Sequence, residues 1–112
     1  MIEKIILDYL ESVLTCPVYM EEPEENKPAK FVLIQKTGGR MTNMISYSTV
    51  AIQSYDQSLY KASVLNDEVK QKMLEIVKEQ DVAGIRLNSD YNFTDAATKR
   101  YRYQAVFELT HY

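Results

Sequence analysis

From Tyr101 to Thr110 the chain alternates strictly. Tyr101, Tyr103, Ala105, Phe107 and Leu109 fall on one face; Arg102, Gln104, Glu108 and Thr110 fall on the other, with Val106 the only apolar residue among them. A period of two over this length reads as a strand with one face buried and one wet. The chain must therefore build a sheet and a layer to cover one side of it. The lead-in Asp90-Tyr91-Asn92-Phe93-Thr94-Asp95 is turn-rich, and the segment holds no catalytic constellation. A chain that ends this way is expected to work by presenting a surface rather than by making or breaking bonds.

The rest of the pattern supplies the other layers. Ile2, Ile5, Ile6, Tyr9, Leu10, Val13 and Leu14 recur at helical spacing, and Pro17 pushes the residue before it out of helical space. Val18-Tyr19-Met20 reads as a short extended piece, followed by a solvated acidic loop, Glu21 to Pro28. Phe31–Thr37 and a run from about Met44 to Tyr55 make a β-hairpin around Gly38-Gly39. Its connector, Thr37 to Asn43, is longer than a tight turn and is expected to be exposed and mobile. Asp56-Gln57-Ser58 offers N-caps for a second helix with the stripe Leu59, Ala62, Leu65, Val69, Met73, Ile76 and Val77, ending near Gln80. A further strand spans Val82–Asn88. The expected fold is α+β: a small, mostly antiparallel four-stranded sheet, element order α-β-β-α-β-β, with both helices on one face.

Composition narrows the function classes. With 112 residues, 46% hydrophobic and 26% charged, the chain is one domain, 1–112, of ordinary globular character. A net charge of -3 gives no bulk attraction to nucleic acid. No apolar run is long enough to span a bilayer, and Glu3, Asp8 and Glu11 interrupt any secretory leader, so synthesis in a cytoplasm and no membrane association are expected. Cys16 is single and reads as a small half-buried filler. Nine Tyr and three Phe accompany no Trp; Tyr suits both half-buried strand positions and surfaces covered on assembly.

Sites for chemistry are sparse. His111, the only histidine, is penultimate and expected to be exposed. Glu21, Glu22, Glu24 and Glu25 lack the alternating ligands and central glycine of a calcium loop. Thr37-Gly38-Gly39-Arg40 lacks the Lys-Ser/Thr of a phosphate loop. Lys99-Arg100-Tyr101-Arg102-Tyr103 interleaves cations and aromatics as single-stranded nucleic-acid platforms do. A period of two, however, sends its tyrosines and arginines to opposite faces. No enzyme, metal, cofactor or sequence-specific nucleic acid is therefore expected.

The order of several short motifs resembles one family. They are the N-terminal amphipathic helix with Val18-Tyr19-Met20-Glu21-Glu22-Pro23, Phe31 to Gly39, Ala51-Ile52-Gln53-Ser54-Tyr55 before a helix, Tyr91 to Asp95, and Arg102 to Phe107. Together they resemble the tail terminator, or tail-completion, proteins of long-tailed bacteriophages and prophages. The resemblance implies a non-enzymatic structural protein of a small α+β fold, made in the bacterial host cytoplasm and carried in the virion tail. It implies a ring, commonly hexameric, that stops growth of the tail tube and joins tail to head. The implied partners are further copies of the chain, the tail tube protein and head–tail connector proteins. Head-closure and connector proteins of the same joint are similar in size and style and remain open, as does a small host protein-binding module of the same fold.

A ring needs two different complementary patches on each subunit. The candidates are the acidic Glu21, Glu22, Glu24 and Glu25, the basic Arg100 and Arg102, and the hairpin tip Gly38, Gly39 and Arg40. The acidic loop of one subunit is expected beside the basic segment of the next, with the tip contacting the tube or lining the lumen. Tyr101, Tyr103 and Phe107 are expected to anchor the fold.

Overall fold

The computed structural model describes residues 1–79 and 81–112. Helix α1 (Ile2–Val13) forms where the first apolar stripe lies and buries Ile2, Ile6, Tyr9 and Leu10. Helix α2 (Leu59–Met73) starts at Ser58, whose hydroxyl accepts the Lys61 N–H at 3.1 Å. That cap satisfies one of the unpaired amides of the first turn. The helix buries Ala62, Leu65, Val69 and Met73, and a short 3₁₀ turn at Ile76–Lys78 buries Ile76. Leu59 and Val77, expected in the same stripe, are exposed at its two ends. Gln80, where the helix was expected to end, lies outside the described residues. The Tyr9 hydroxyl donates to the Lys72 carbonyl at 2.7 Å and ties the two helices together.

The sheet has five strands: β1 (Val18–Tyr19), β2 (Phe31–Thr42), β3 (Ile45–Tyr55), β4 (Val82–Asn92) and β5 (Arg102–His111), in spatial order β1-β2-β3-β5-β4. The expected four become five because Val18-Tyr19 pairs in parallel with Val32-Leu33. The Val32 N–H adds a bond to the Pro17 carbonyl at 3.0 Å. Two residues are too few to carry a period, so the sequence shows a short extended piece without showing that it joins the sheet. The other ladders are antiparallel, and β5 inserts between β3 and β4.

Register sorts the side chains. Val32 and Ile34 of β2, Val50 and Ile52 of β3, and Ala105, Phe107 and Leu109 of β5 share one face and pack with both helices in a single core. The helices thus cover one face, as expected. Ala51, Gln53, Tyr55, Arg102, Gln104, Val106, Glu108 and Thr110 lie on the other, which no helix covers.

The β2–β3 hairpin departs from expectation. Gly38-Gly39 is not a bend. The register slips between Lys36 and Gly38, a bulge, and both strands continue to Thr42 and Ile45. The turn is the two residues Asn43 and Met44, with φ of 51° and 65°. Positive φ at both central residues is the signature of a type I′ turn, whose twist suits a hairpin. The supposed long connector is an arm of paired backbone, and the molecule measures 44 × 25 × 24 Å.

Candidate interaction surface

At one end of the uncovered sheet face, two loops fold over the aromatic pair Phe31 and Tyr55, whose rings stack 4.4 Å apart. Tyr19 meets Phe31 edge to face, and the Arg100 guanidinium lies 5.1 Å from the Tyr55 ring centre. Arg100 also pairs with Glu22, and Lys27 approaches the same carboxylate at 3.4 Å. Arg102 donates to the Tyr55 hydroxyl at 2.8 Å and to the Phe93 carbonyl at 2.7 Å, and stacks over the Phe93 ring at 4.4 Å. The expected contact between acidic loop and basic segment therefore exists, but within one chain. Within the chain, Arg100 and Arg102 pin two loops over Tyr55. Charge patterning finds such a pair and says nothing about whether it closes within or between chains.

Across the face runs a chain of polar contacts that alternation alone assigns to solvent. The Tyr55 hydroxyl donates to Gln53 Oε1 at 2.9 Å, Gln53 Nε2 donates to Gln104 Oε1 at 2.9 Å, and Gln104 Nε2 donates to the Tyr91 hydroxyl. Gln104 is only 9% exposed although no helix covers it. A buried amide with each half bonded holds β3, β5 and β4 in register from the uncovered side.

The arm forms the far end of this face. Arg40 lies 4.1 Å over the ring of Tyr47, its cross-strand partner. Beyond it Met41 and Met44 are 70% and 86% exposed. Between the arm and β4 lies a groove of about 500 Å³, lined by Gly39, Arg40, Tyr47, Thr49, Gly84, Arg86, Glu108 and Thr110 among others. Arg86 pairs with Glu108, and Asn88 Nδ2 donates to the same carboxylate at 3.2 Å. The hydrogen bonds from Asn88 and Arg86 hold Glu108 below the usual carboxylate range. Of the expected patches, Gly39 and Arg40 line this groove, Gly38 follows the bulge and pairs with Thr49, and Glu21, Glu24 and Glu25 stand exposed at the opposite end. Tyr47, Arg86 and the two methionines went unread in the sequence. Asn43, an asparagine between two alternating runs, was the signal for the turn that places them.

His111 overturns its expectation of exposure. It is 7% exposed, on the helix-covered face, with Nε2 hydrogen bonded to the Ser48 hydroxyl at 2.8 Å. Burial is the main cause that lowers its pKa from the ordinary 6.5, helped by the nearby Lys36 and N-terminal charges and opposed by the Tyr112 backbone and Glu3. In the folded state the proton is thus held less tightly than in the unfolded chain. Stability from this group is complete above pH 6.5 and falls as pH drops through the lowered folded value. Thermal unfolding followed on both sides of pH 6.5 should show this decline, and H111Q should flatten it. An equal slope in both chains would remove His111 as the cause.

Cys16 is buried, and burial pushes its thiol pKa up, which disfavours the reactive thiolate. Among the described residues no group of three or more His, Cys, Asp or Glu is placed to hold a metal ion. Among the described residues no helix is long and apolar enough to cross a membrane. The uncovered sheet face ends in an arm whose tip exposes Met41 and Met44. No family model matches the chain, and no curated protein matches it.

Proposed function

We propose that this chain is a non-enzymatic structural protein of bacteriophage or prophage tail assembly. Copies of it form a ring, a hexamer in the assembled tail, that caps the tail tube and joins it to the head. The observation that carries this reading is the asymmetry of the sheet. On one side β2 pairs with β1 only at Val32 and Leu33, so from Ile34 to Thr42 its outer edge has no strand partner among the described residues. On the other side β4 is an edge along its whole length. Long free edges are a liability in a monomer and are tolerable where assembly covers them. Because the two edges differ in sequence and bulge pattern, contacts between them are heterologous, the kind that closes into rings.

The arm supplies the second half of the reading. Met41 and Met44 project beyond the core, where apolar side chains gain nothing from exposure but fit a partner's pocket. A ring presenting one such tip per subunit engages a tube end many times over, so weak single contacts add up.

Electron microscopy of tails assembled with and without this chain tests the proposal. Overlong tubes in its absence identify a terminator. Tails of normal length that fail to join heads would assign it to head closure instead and overturn the terminator reading.

A further inference from the structure

We infer that the groove between Arg40 and Arg86 seats the acidic loop, Glu21–Glu25, of a second copy of this chain. The inference rests on the ring reading and names its subunit contact.

The charges left over within one chain point to this pairing. Glu22 is held by Arg100 and Lys27, whereas Glu21, Glu24 and Glu25 form no ion pair among the described residues and are exposed. At the groove the balance is reversed. Two guanidiniums, Arg40 and Arg86, face one carboxylate, Glu108, and Arg40 has no carboxylate partner among the described residues. Guanidinium forks bind carboxylates through two parallel hydrogen bonds, so Arg40 offers a directed site rather than a diffuse charge.

The shape agrees with the charge. Gly39 and Gly84 contribute backbone without side chains, and Thr49 and Thr110 bring hydroxyls into the lining. The volume of about 500 Å³ leaves room for the side chains of an incoming loop. The incoming loop carries Pro23 and, just beyond the glutamates, Pro28, whose fixed φ lowers the entropy lost on ordering it.

Position makes the contact intermolecular. Arg100, which anchors the loop through Glu22, lies over Tyr55, and Arg40 lies over Tyr47. Eight residues of strand separate those tyrosines, roughly 26 Å at the usual rise. The loop of one chain is thus at the wrong end of its own sheet to fill its own groove. Donor loop and acceptor groove are different patches at opposite ends, which is the head-to-tail arrangement a ring requires.

The test uses a chain carrying R40K and R86K, which keeps both cations and adds amines. A carbodiimide joins carboxylates to amines in direct contact. Applied to the concentrated chain at low salt, and to tails containing it, it should give a ladder of covalent oligomers. Peptide mapping should place the links between positions 40 or 86 and Glu24 or Glu25. In sedimentation, R40E with R86E should weaken self-association by about tenfold or more, and mixing with a chain carrying E24K and E25K should restore it. Unchanged self-association of the chain carrying R40E with R86E, or oligomers linked elsewhere, overturns the inference. Oligomers linked elsewhere, in tails of correct length, would sink this contact and leave the ring standing; overlong-tube microscopy decides the ring separately.

Discussion

A chain carrying M44G and M41T should fold as well as the original and yet leave tails of uncontrolled length. Met44 sits at φ 65°, in the left-handed region where an ordinary side chain costs about 1–2 kcal/mol. Glycine removes that cost, offset in part by about 0.5–1 kcal/mol of extra chain entropy lost on folding. Threonine at position 41 keeps a strand-favouring residue opposite Ser46. The fold should therefore be unchanged or slightly more stable in chemical denaturation. The tip, however, loses both apolar side chains. If each is buried against a partner, about 1.5–3 kcal/mol of contact disappears per methionine. Multiplied over the subunits of a ring, that loss should abolish capture of the tube end. Tail lengths measured by electron microscopy should spread far beyond the normal distribution. Normal lengths with this double variant would remove the tip from the mechanism.

This choice of substitutions follows from where the sequence misled. Gly38-Gly39 reads as a hairpin bend, and excising Gly39 to Thr42 would then be harmless. Those residues are instead paired with Ser48, Tyr47, Ser46 and Ile45, so excision would strip β3 of its neighbour. Two adjacent glycines fit a turn and a bulged strand equally well, and only the pairing partner decides between them. Other features were legible in the main. The cap of α2 is one of the three candidates Asp56, Gln57 and Ser58. Local periodicity marks both helices and the buried Ala105, Phe107 and Leu109 of β5, although it also counts Leu59 and Val77, which are exposed. That periodicity even reaches His111, which has the same parity as Tyr101 to Leu109; its place near the chain end hid a buried position. The link between Arg100 and Glu22 was legible as a charge match. Whether it closes within one chain depends on how two distant loops meet over Tyr55, which no local pattern encodes. Gln104 fails for a related reason: alternation marks it as wet, and only Gln53 and Tyr91 on neighbouring strands make its burial affordable.

Phe107 and Tyr103 share a stripe in the sequence, but their substitution should have very different consequences. Phe107 is 0% exposed, on the strand flanked by β3 and β4, and belongs to the core that both helices cover. F107A should destabilise by about 3–5 kcal/mol, through lost transfer energy and the cavity left between sheet and helices. Set against a typical total of roughly 5–15 kcal/mol for a domain, that is enough to unfold much of the population on mild warming. Tyr103, half-buried near the end of the same strand, should cost about 1 kcal/mol as Y103A. Urea titrations of the two variants check this through their midpoints, with equal slopes confirming that the unfolded state is unchanged. Equal costs would mean that Tyr103 contributes as much to the core as Phe107. The comparison also separates folding from assembly. Phe107 faces the helices, whereas the groove and the polar chain lie on the opposite face. F107A should therefore lower the amount of folded chain without altering how each folded copy contacts its neighbours. The tip variant should do the reverse, so thermal stability and tail length should respond to different members of this pair.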